Sequence, residues 1–261
     1  IVHSGNVLMT VLNDILDFSK IEAGALDLEG IPFNMHDVLE NVLLLFKPQA
    51  DLNEVELINH TPMDFAGGFV GDSHRITQIL SNLVGNALKF TEQGEVEVLA
   101  QHTDLSDGMG RLRFEVRDTG IGMSPETRDS ACSAFTQADS STTRRFGGTG
   151  LGLCISANLV KMMGRKMGVE SELGQGSTFR VELDLPTDRL TRSPSSILDN
   201  HARFEGKSAL VVDDNETNLL VISEQLQDMG FKVKTCIRPE DAYLEDEKNP
   251  NYDLLILDYL M

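Results

Sequence analysis

Between about Ser73 and Phe90 the apolar residues Ile76, Ile79, Leu80, Leu83, Val84 and Ala87 recur at offsets i, i+3, i+4, i+7, i+8 and i+11. That spacing gathers all six on one side of an α-helix, and no strand could do the same. The helix must therefore lie on a core that other elements build. Its opposite side is equally regular. Arg75, Gln78, Asn82, Asn86 and Lys89 fall within an arc of about 80° at 100° per residue. Asparagine carbonyls are neutral hard oxygen donors, suited to a magnesium ion that already carries nucleotide phosphates. Lysine supplies a point charge for the phosphates. Taken alone, the stripe also fits a solvated helix face.

The surrounding chain supplies candidates for that core. Residues 7–23 predict a helix, with Leu8, Val11, Leu12, Ile15, Leu16 and Phe18 as a broad apolar stripe that must bury against something, most economically a partner helix in the same or another chain. A second helix is predicted over 36–50, ending near Pro48, and a strand over 55–59. Alternating runs at 95–101 and 111–117 flank Asp107-Gly108 and predict a hairpin. A helix over 151–163 and strands over 167–172 and 178–185 follow. Residues 186–206 read as a linker, with two prolines, several serines and no period. Beyond it, apolar runs at 209–212, 231–236 and 254–257 alternate with a helix over 215–229, a β-α-β-(α)-β order that predicts a parallel sheet.

Composition narrows the partners. The chain has 261 residues, 22 Lys and Arg against 41 Asp and Glu, and a net charge of −19. A nucleic-acid binder needs a cationic surface, and an anionic membrane would repel this one. Cys132, Cys154 and Cys236 are odd in number and far apart, so no disulfide framework or cysteine zinc site is expected, and a reducing compartment is. The chain opens at Ile1 without a signal-peptide pattern and stops at Met261 after a strand-like run. Both ends read as cut, as in a fragment of a longer protein.

Four further segments carry chemistry. Asp118-Thr119-Gly120-Ile121-Gly122-Met123 follows a strand, where a carboxylate can accept a hydrogen bond from an exocyclic amine such as that of adenine. Alone, it also fits a plain turn. Gly147 to Leu153 (GGTGLGL) opens a helix, and successive backbone N–H groups there make an anion site. The preceding Asp139–Phe146 stretch, with Arg144 and Arg145, reads as a lid that brings two cations near the phosphates. Gly174 to Phe179 (GQGSTF) sits between strands as a turn.

Together, and in this order, these segments closely resemble the ATP-binding catalytic domain of sensor histidine kinases, within the GHKL ATPase superfamily. QILSNLVGNALKFT (78–91) resembles the N box, DTGIGM and GGTGLGL the first two glycine boxes, and GQGSTF the third. The resemblance spans roughly 30–186 and implies a two-layer α/β sandwich with ATP between the N-box helix and a lid. It implies that Asn86 ligates Mg²⁺, with Asn82 and Lys89 beside the phosphates. Asp118 would hold the adenine amine, Thr178 would support it, and Gly120 and Gly122 would wall the pocket. Gly148, Gly150, Leu151 and Gly152 would shape the lid hinge and the phosphate-facing helix start. Asn86, Lys89 and Arg145 would serve the transfer itself. One segment departs from the pattern: in ACSAFTQ (131–137), Cys132 and Ala134 stand where the family places Phe and Pro.

LNDILDFSKIEAG (12–24) is similar to the end of the second helix of the family's dimerisation and phosphoacceptor hairpin. The phosphorylated histidine would lie on the first helix, before Ile1. His3 falls on the wrong helix, and His36, His60, His74, His102 and His201 read as structural or surface residues.

At the other end, Asp213-Asp214 and Asp258 follow apolar strands. Carboxylates at the carboxyl ends of neighbouring parallel strands converge on a crevice and repel one another unless a cation binds. Three unrelated strand-end acids are the alternative. LVVDDNETN (210–218) and LLILDYLM (254–261) resemble response-regulator receiver domains. That likeness implies Asp258 as phosphoacceptor, Asp213, Asp214 and the Leu260 carbonyl around a second Mg²⁺, and an incomplete flavodoxin-like sheet with an exposed apolar edge.

The expected organisation is therefore 1–28 hairpin end, 29–186 catalytic domain, 187–206 linker and 207–261 truncated receiver. The expected function is the ATP-binding and phosphoryl-transfer portion of a hybrid sensor histidine kinase in a phosphorelay. Its partners would be a histidine helix of the same family and a histidine phosphotransfer or response-regulator protein, with homodimerisation of the intact protein and no nucleic acid. Its place would be cytoplasmic, with any inner-membrane anchor upstream. A non-catalytic nucleotide-binding scaffold of the same fold is the alternative, slightly favoured by Cys132 and Ala134. Another GHKL member, such as a chaperone or repair ATPase, fits poorly with the DFSKIEAG segment and the receiver-like tail.

Overall fold

The structure, a computed structural model, describes residues 2–131, 150–188, 204–248 and 252–258. The chain forms two compact units, Ile1–Leu57 with Gly67–Arg192, and Ile58–Ala66 with Ser193–Met261.

In the first unit the elements run α1 (Val2–Glu22), β1 (Ile31–Asn34), α2 (Met35–Leu52), β2 (Val55–Asn59), β3 (Gly68–Gly71), α3 (Ser73–Phe90), β4 (Gly94–Asp104) and β5 (Met109–Asp118). Then come α4 (Pro125–Ser130), α5 (Gly152–Met162), β6 (Met167–Glu172) and β7 (Gly176–Pro186). A five-stranded sheet has the order β2-β4-β5-β7-β6, and the β4–β5, β5–β7 and β6–β7 pairs are antiparallel. Helices α3 and α5 lie against one face of the sheet, and α2 packs on α3. Ile76, Ile79, Leu80, Leu83, Val84, Ala87 and Leu88 of α3 are buried there with Leu112, Phe114 and Val116 of β5 and Val181 and Leu183 of β7. This is the two-layer α/β sandwich expected from the sequence.

The other face of the sheet is charged. Arg111 donates to Asp184 at 2.8 Å, and Arg165 pairs with the same carboxylate. Glu115 lies between Arg113 and Arg180, and Arg117 faces Glu97 at 3.6 Å. Alternation of buried and open positions along each strand creates this division.

The β4–β5 turn is built by Asp107 and Gly108, whose φ values of 59° and 72° are both in the left-handed region. Met109 N–H closes the turn on the Ser106 carbonyl at 3.2 Å. That geometry suits the right-handed twist of a hairpin.

Two expectations change. Helix α2 continues through Pro48 to Leu52. A proline inside a helix removes the hydrogen bond to the carbonyl four residues earlier. That residue is Leu44, which is exposed, so water can serve its carbonyl. The pairs β1–β3 and the short α4 were not predicted, although Ser124 caps α4 by accepting from Thr127 N–H, with Pro125 at the first turn. On α1, the described residues of the apolar stripe are divided, with Phe18 on the side turned to the domain. Leu12, Ile15 and Leu16 are exposed, whereas Asp14, Asp17, Phe18 and Ile21 are partly buried. The side chains of Leu8 and Val11 lie outside the described set.

In the second unit, β8 (Ser208–Val212), α6 (Glu216–Asp228), β9 (Lys232–Cys236), α7 (Pro239–Lys248) and β10 (Leu254–Leu257) form a parallel sheet of order β10-β8-β9. Ala209, Val211, Leu219 and Leu226 make its core, with Leu254 and Ile256 against them. Leu255 and Leu257 of the edge strand are exposed.

Among the described residues no helix is long and apolar enough to cross a membrane.

Candidate functional site

Helix α3 divides its polar stripe between two tasks. Near its start, Arg75 and Gln78 reach Asp17 of α1. Further along, the Asn82 side-chain amide donates to the Gly152 carbonyl and contacts Ser156 Oγ, both at 3.3 Å. Asn82 thereby touches the first turn of α5, the segment expected to face phosphate. Asn86 follows one turn later, partly buried. Burial lowers the pKa of Lys89, whose Nζ lies 4.8 Å from the Phe90 ring centroid.

The start of α5 fits an anion. Its N-cap residue, Leu151, makes no side-chain capping bond, and Gly150 has a φ of 70°. A helix start without a side-chain cap leaves backbone donors for an anionic group.

Asp118 ends β5 and is 5 % exposed. Its Oδ1 accepts from Gly120 N–H at 2.9 Å and Ser177 N–H at 3.2 Å. Burial raises its pKa, and these two bonds oppose the rise. A carboxylate so placed is a strong acceptor with little water to satisfy it.

The loop after Asp118 is strapped on both sides. Ile121 N–H donates to the Phe90 carbonyl at 3.2 Å, and Gly174 N–H donates to the Ile121 carbonyl at 2.8 Å. The end of α3, the DTGIGM loop and the β6–β7 turn thus form one wall. Gly120 and Gly122 are needed for that approach. A Cβ on Gly120 would run into the Phe90 carbonyl, and one on Gly122, whose φ is 63°, into the Glu172 carbonyl. A third bond, from Met123 N–H to Ser171 Oγ at 2.8 Å, holds the far end of the loop.

Thr178 does not join this group. It pairs with Arg117, whose side chain lies on the charged face of the sheet, while its neighbour Ser177 pairs with Asp118 on the buried side. Ser177 is the hydroxyl beside the carboxylate, and Ser171 Oγ lies 3.0 Å from it. The face of a strand residue follows from pairing register, so one residue of offset moved the expectation to the wrong side. Arg144, Arg145, Gly147, Gly148, Thr149, Cys132 and Ala134 lie outside the described residues.

In the second unit, one ligand atom each from Asp213, Asp214 and Asp258 lie within 4.8 Å of one another. Asp258 N–H donates to Val212 at 2.9 Å, and Asp213 N–H to Cys236 at 3.2 Å, so strand pairing fixes both backbones. The Asp213 carboxyl is pushed up first by burial and then by Asp258 and Asp214, against bonds from Asn215 and Asn218. Hard oxygens around an acid held up by its neighbours suit a divalent cation such as Mg²⁺. Leu260 lies outside the described residues.

Residues 71–187 match the family described as histidine kinase-, DNA gyrase B-, and HSP90-like ATPase. Over 233 residues the chain is 40 % identical to the sensor histidine kinase GacS of Pseudomonas protegens, covering 89 % of this chain and 25 % of that protein. It is 41 % identical over 198 residues to the signal transduction histidine-protein kinase BarA of Escherichia coli K12, covering 75 % of this chain and 22 % of BarA. The chain thus spans about a quarter of the length of these relatives. The crystal structure of full-length ShkA in complex with AMPPNP superposes with a TM-score of 0.76 at 31 % identity, over 93 % of this chain and 48 % of that one. Residues 71–187 therefore form a domain of the histidine kinase-, DNA gyrase B- and HSP90-like ATPase family, and the chain around it is similar to sensor histidine kinases.

Proposed function

We propose that this chain is the ATP-binding and phosphoryl-transfer portion of a hybrid sensor histidine kinase. The observation that carries the reading is Asp118, a buried carboxylate on a loop strapped between the end of α3 and the β6–β7 turn. In this reading Asp118 accepts from the adenine amine. Asn82, Asn86, Lys89 and the start of α5 meet the phosphates, and Arg145 adds charge. Mg²⁺, when bound through Asn86, offsets phosphate charge. The γ-phosphoryl group leaves ADP and joins an imidazole nitrogen on a helix outside this chain. The phosphoryl group then passes to a carboxylate oxygen of Asp258, with Asp213 and Asp214 holding a second Mg²⁺. The intact protein dimerises through the hairpin that ends in α1 and works with a response regulator or phosphotransfer protein on the cytoplasmic side.

Calorimetry with ATP and Mg²⁺ tests the site. The unaltered chain should bind, and Asp118→Asn and Asn86→Ala should each weaken binding by about tenfold or more, since each removes a charge-assisted or metal-linked contact. Equal heats in all three proteins would end the proposal. The ShkA complex with AMPPNP supports nucleotide binding by this fold.

A further inference from the structure

Arg75 Nη1 donates to Asp17 Oδ2 at 2.9 Å and to Gln78 Oε1 at 2.8 Å. Gln78 Nε2 donates to the same Asp17 oxygen at 2.9 Å. The three side chains form a closed ring between α1 and α3. The Asp17 and Arg75 side chains are only 17 % and 20 % exposed, so this ion pair is not a solvated surface contact.

The ring ties α1 to α3 by side-chain bonds, beside the packing of α1 on α5. Among the described side chains, the side of α1 facing the domain carries Asp14, Asp17, Phe18 and Ile21, at offsets i, i+3, i+4 and i+7, and two of these four are apolar. Met9, Leu12, Ile15 and Leu16 are exposed. The described part of this contact is held by directional polar bonds, which suits a joint that engages and releases. The segment after α1 is fixed at the same end of α3. Glu29 N–H donates to Asp72 Oδ2 at 3.2 Å, while Asp72 Oδ1 caps α3 through Arg75 N–H at 2.9 Å. Gln78 is one turn before Asn82 and two turns before Asn86, so the ring and the metal-facing amide lie about 12 Å apart along one helix. Helix α1 also lies on α5, whose first turn Asn82 touches.

We propose that Asp17, Arg75 and Gln78 are positioning residues for phosphoryl transfer, a polar clamp that fixes the phosphoacceptor hairpin on the helix carrying Asn82 and Asn86. The proposal rests on the kinase reading. The clamp touches no nucleotide atom; its effect is on where the acceptor stands relative to the γ-phosphoryl group.

Asp17→Ala, Arg75→Ala and the reversed pair Asp17→Arg with Arg75→Asp test it. Hydrogen exchange over residues 12–22 and ATP affinity are measured on this chain, and autophosphorylation on the full-length protein. Each single variant should speed α1 exchange about tenfold, leave ATP Kd within about twofold, and lower kcat about tenfold with KM for ATP unchanged. The reversed pair should restore exchange and kcat to within about threefold, and the two single effects should not add. Unchanged α1 exchange in both single variants would overturn the proposal, as would a loss of rate that tracks a loss of ATP affinity. Absence of ATP binding by the unaltered chain would overturn the kinase reading, and with it any role in transfer. The exchange comparison would still separate a clamp from no clamp.

Discussion

At the scale of single residues, the loop after Asp118 is set by sterics as much as by chemistry. Gly122 has a φ of 63° and its missing Cβ leaves room for the Glu172 carbonyl, whereas Gly108, at 72°, has open space around it. Left-handed backbone costs an L-residue roughly 1–2 kcal/mol. Gly108→Ala should therefore cost about that much. Gly122→Ala should cost more, about 3 kcal/mol or above, because backbone must also move. Urea midpoints of the two variants check the difference. Ser177 and Thr178 show the limit of reading residues singly. Both are hydroxyls in the same motif, and only the pairing of Ser177 with Asp118 decides which one serves the carboxylate.

At the scale of elements, the open face of the sheet ties stability to pH. Burial tends to raise the Glu115 pKa, but hydrogen bonds from Arg180 and Arg113 outweigh it and hold the carboxyl below its ordinary value. A lowered folded-state pKa adds stability above the ordinary glutamate range, and that stability is lost as pH falls through the folded value. Glu115→Gln should thus cost about 1 kcal/mol or less at pH 7, and that cost should begin to shrink only as pH falls below the ordinary glutamate value and vanish below the lowered folded one, with screening by solvent limiting the size. Thermal melts from pH 3 to 7 measure it. Helix α3 was legible because its apolar offsets admit one reading, and its observed bounds are Ser73–Phe90. Strands β1 and β3 were not, since IPFN and GFVG have four residues each and no alternation to count. Helix α4 did carry a signal, in Ser124 followed by Pro125 and Glu126. The α1 stripe says that a face needs cover, and Leu12, Ile15 and Leu16 are exposed in this chain, so the sequence alone names no neighbour for them.

At the scale of the whole molecule, the kinase reading makes the proposed nucleotide site and its acceptor helix separable parts. In the kinase reading, the chain incubated alone with labelled ATP and Mg²⁺ should gain almost no covalent label, and a phosphoacceptor hairpin added in trans should become labelled. Gel autoradiography reads both. Label at high stoichiometry on the isolated chain contradicts the first expectation, and binding without transfer in trans favours the scaffold. The sheet beneath the site poses its own assembly problem. Strands β5 and β7 pair across ten residues, yet α4, α5 and β6 all intervene between them, so no tight turn sets their register. Slippage by two residues would keep the apolar side inward but bring Arg113 opposite Arg180, where Glu182 now stands. Like charges directly opposite oppose pairing. The ladder of arginines and acids on the open face thus acts as a vernier, admitting one alignment of two distant segments and penalising its nearest neighbours.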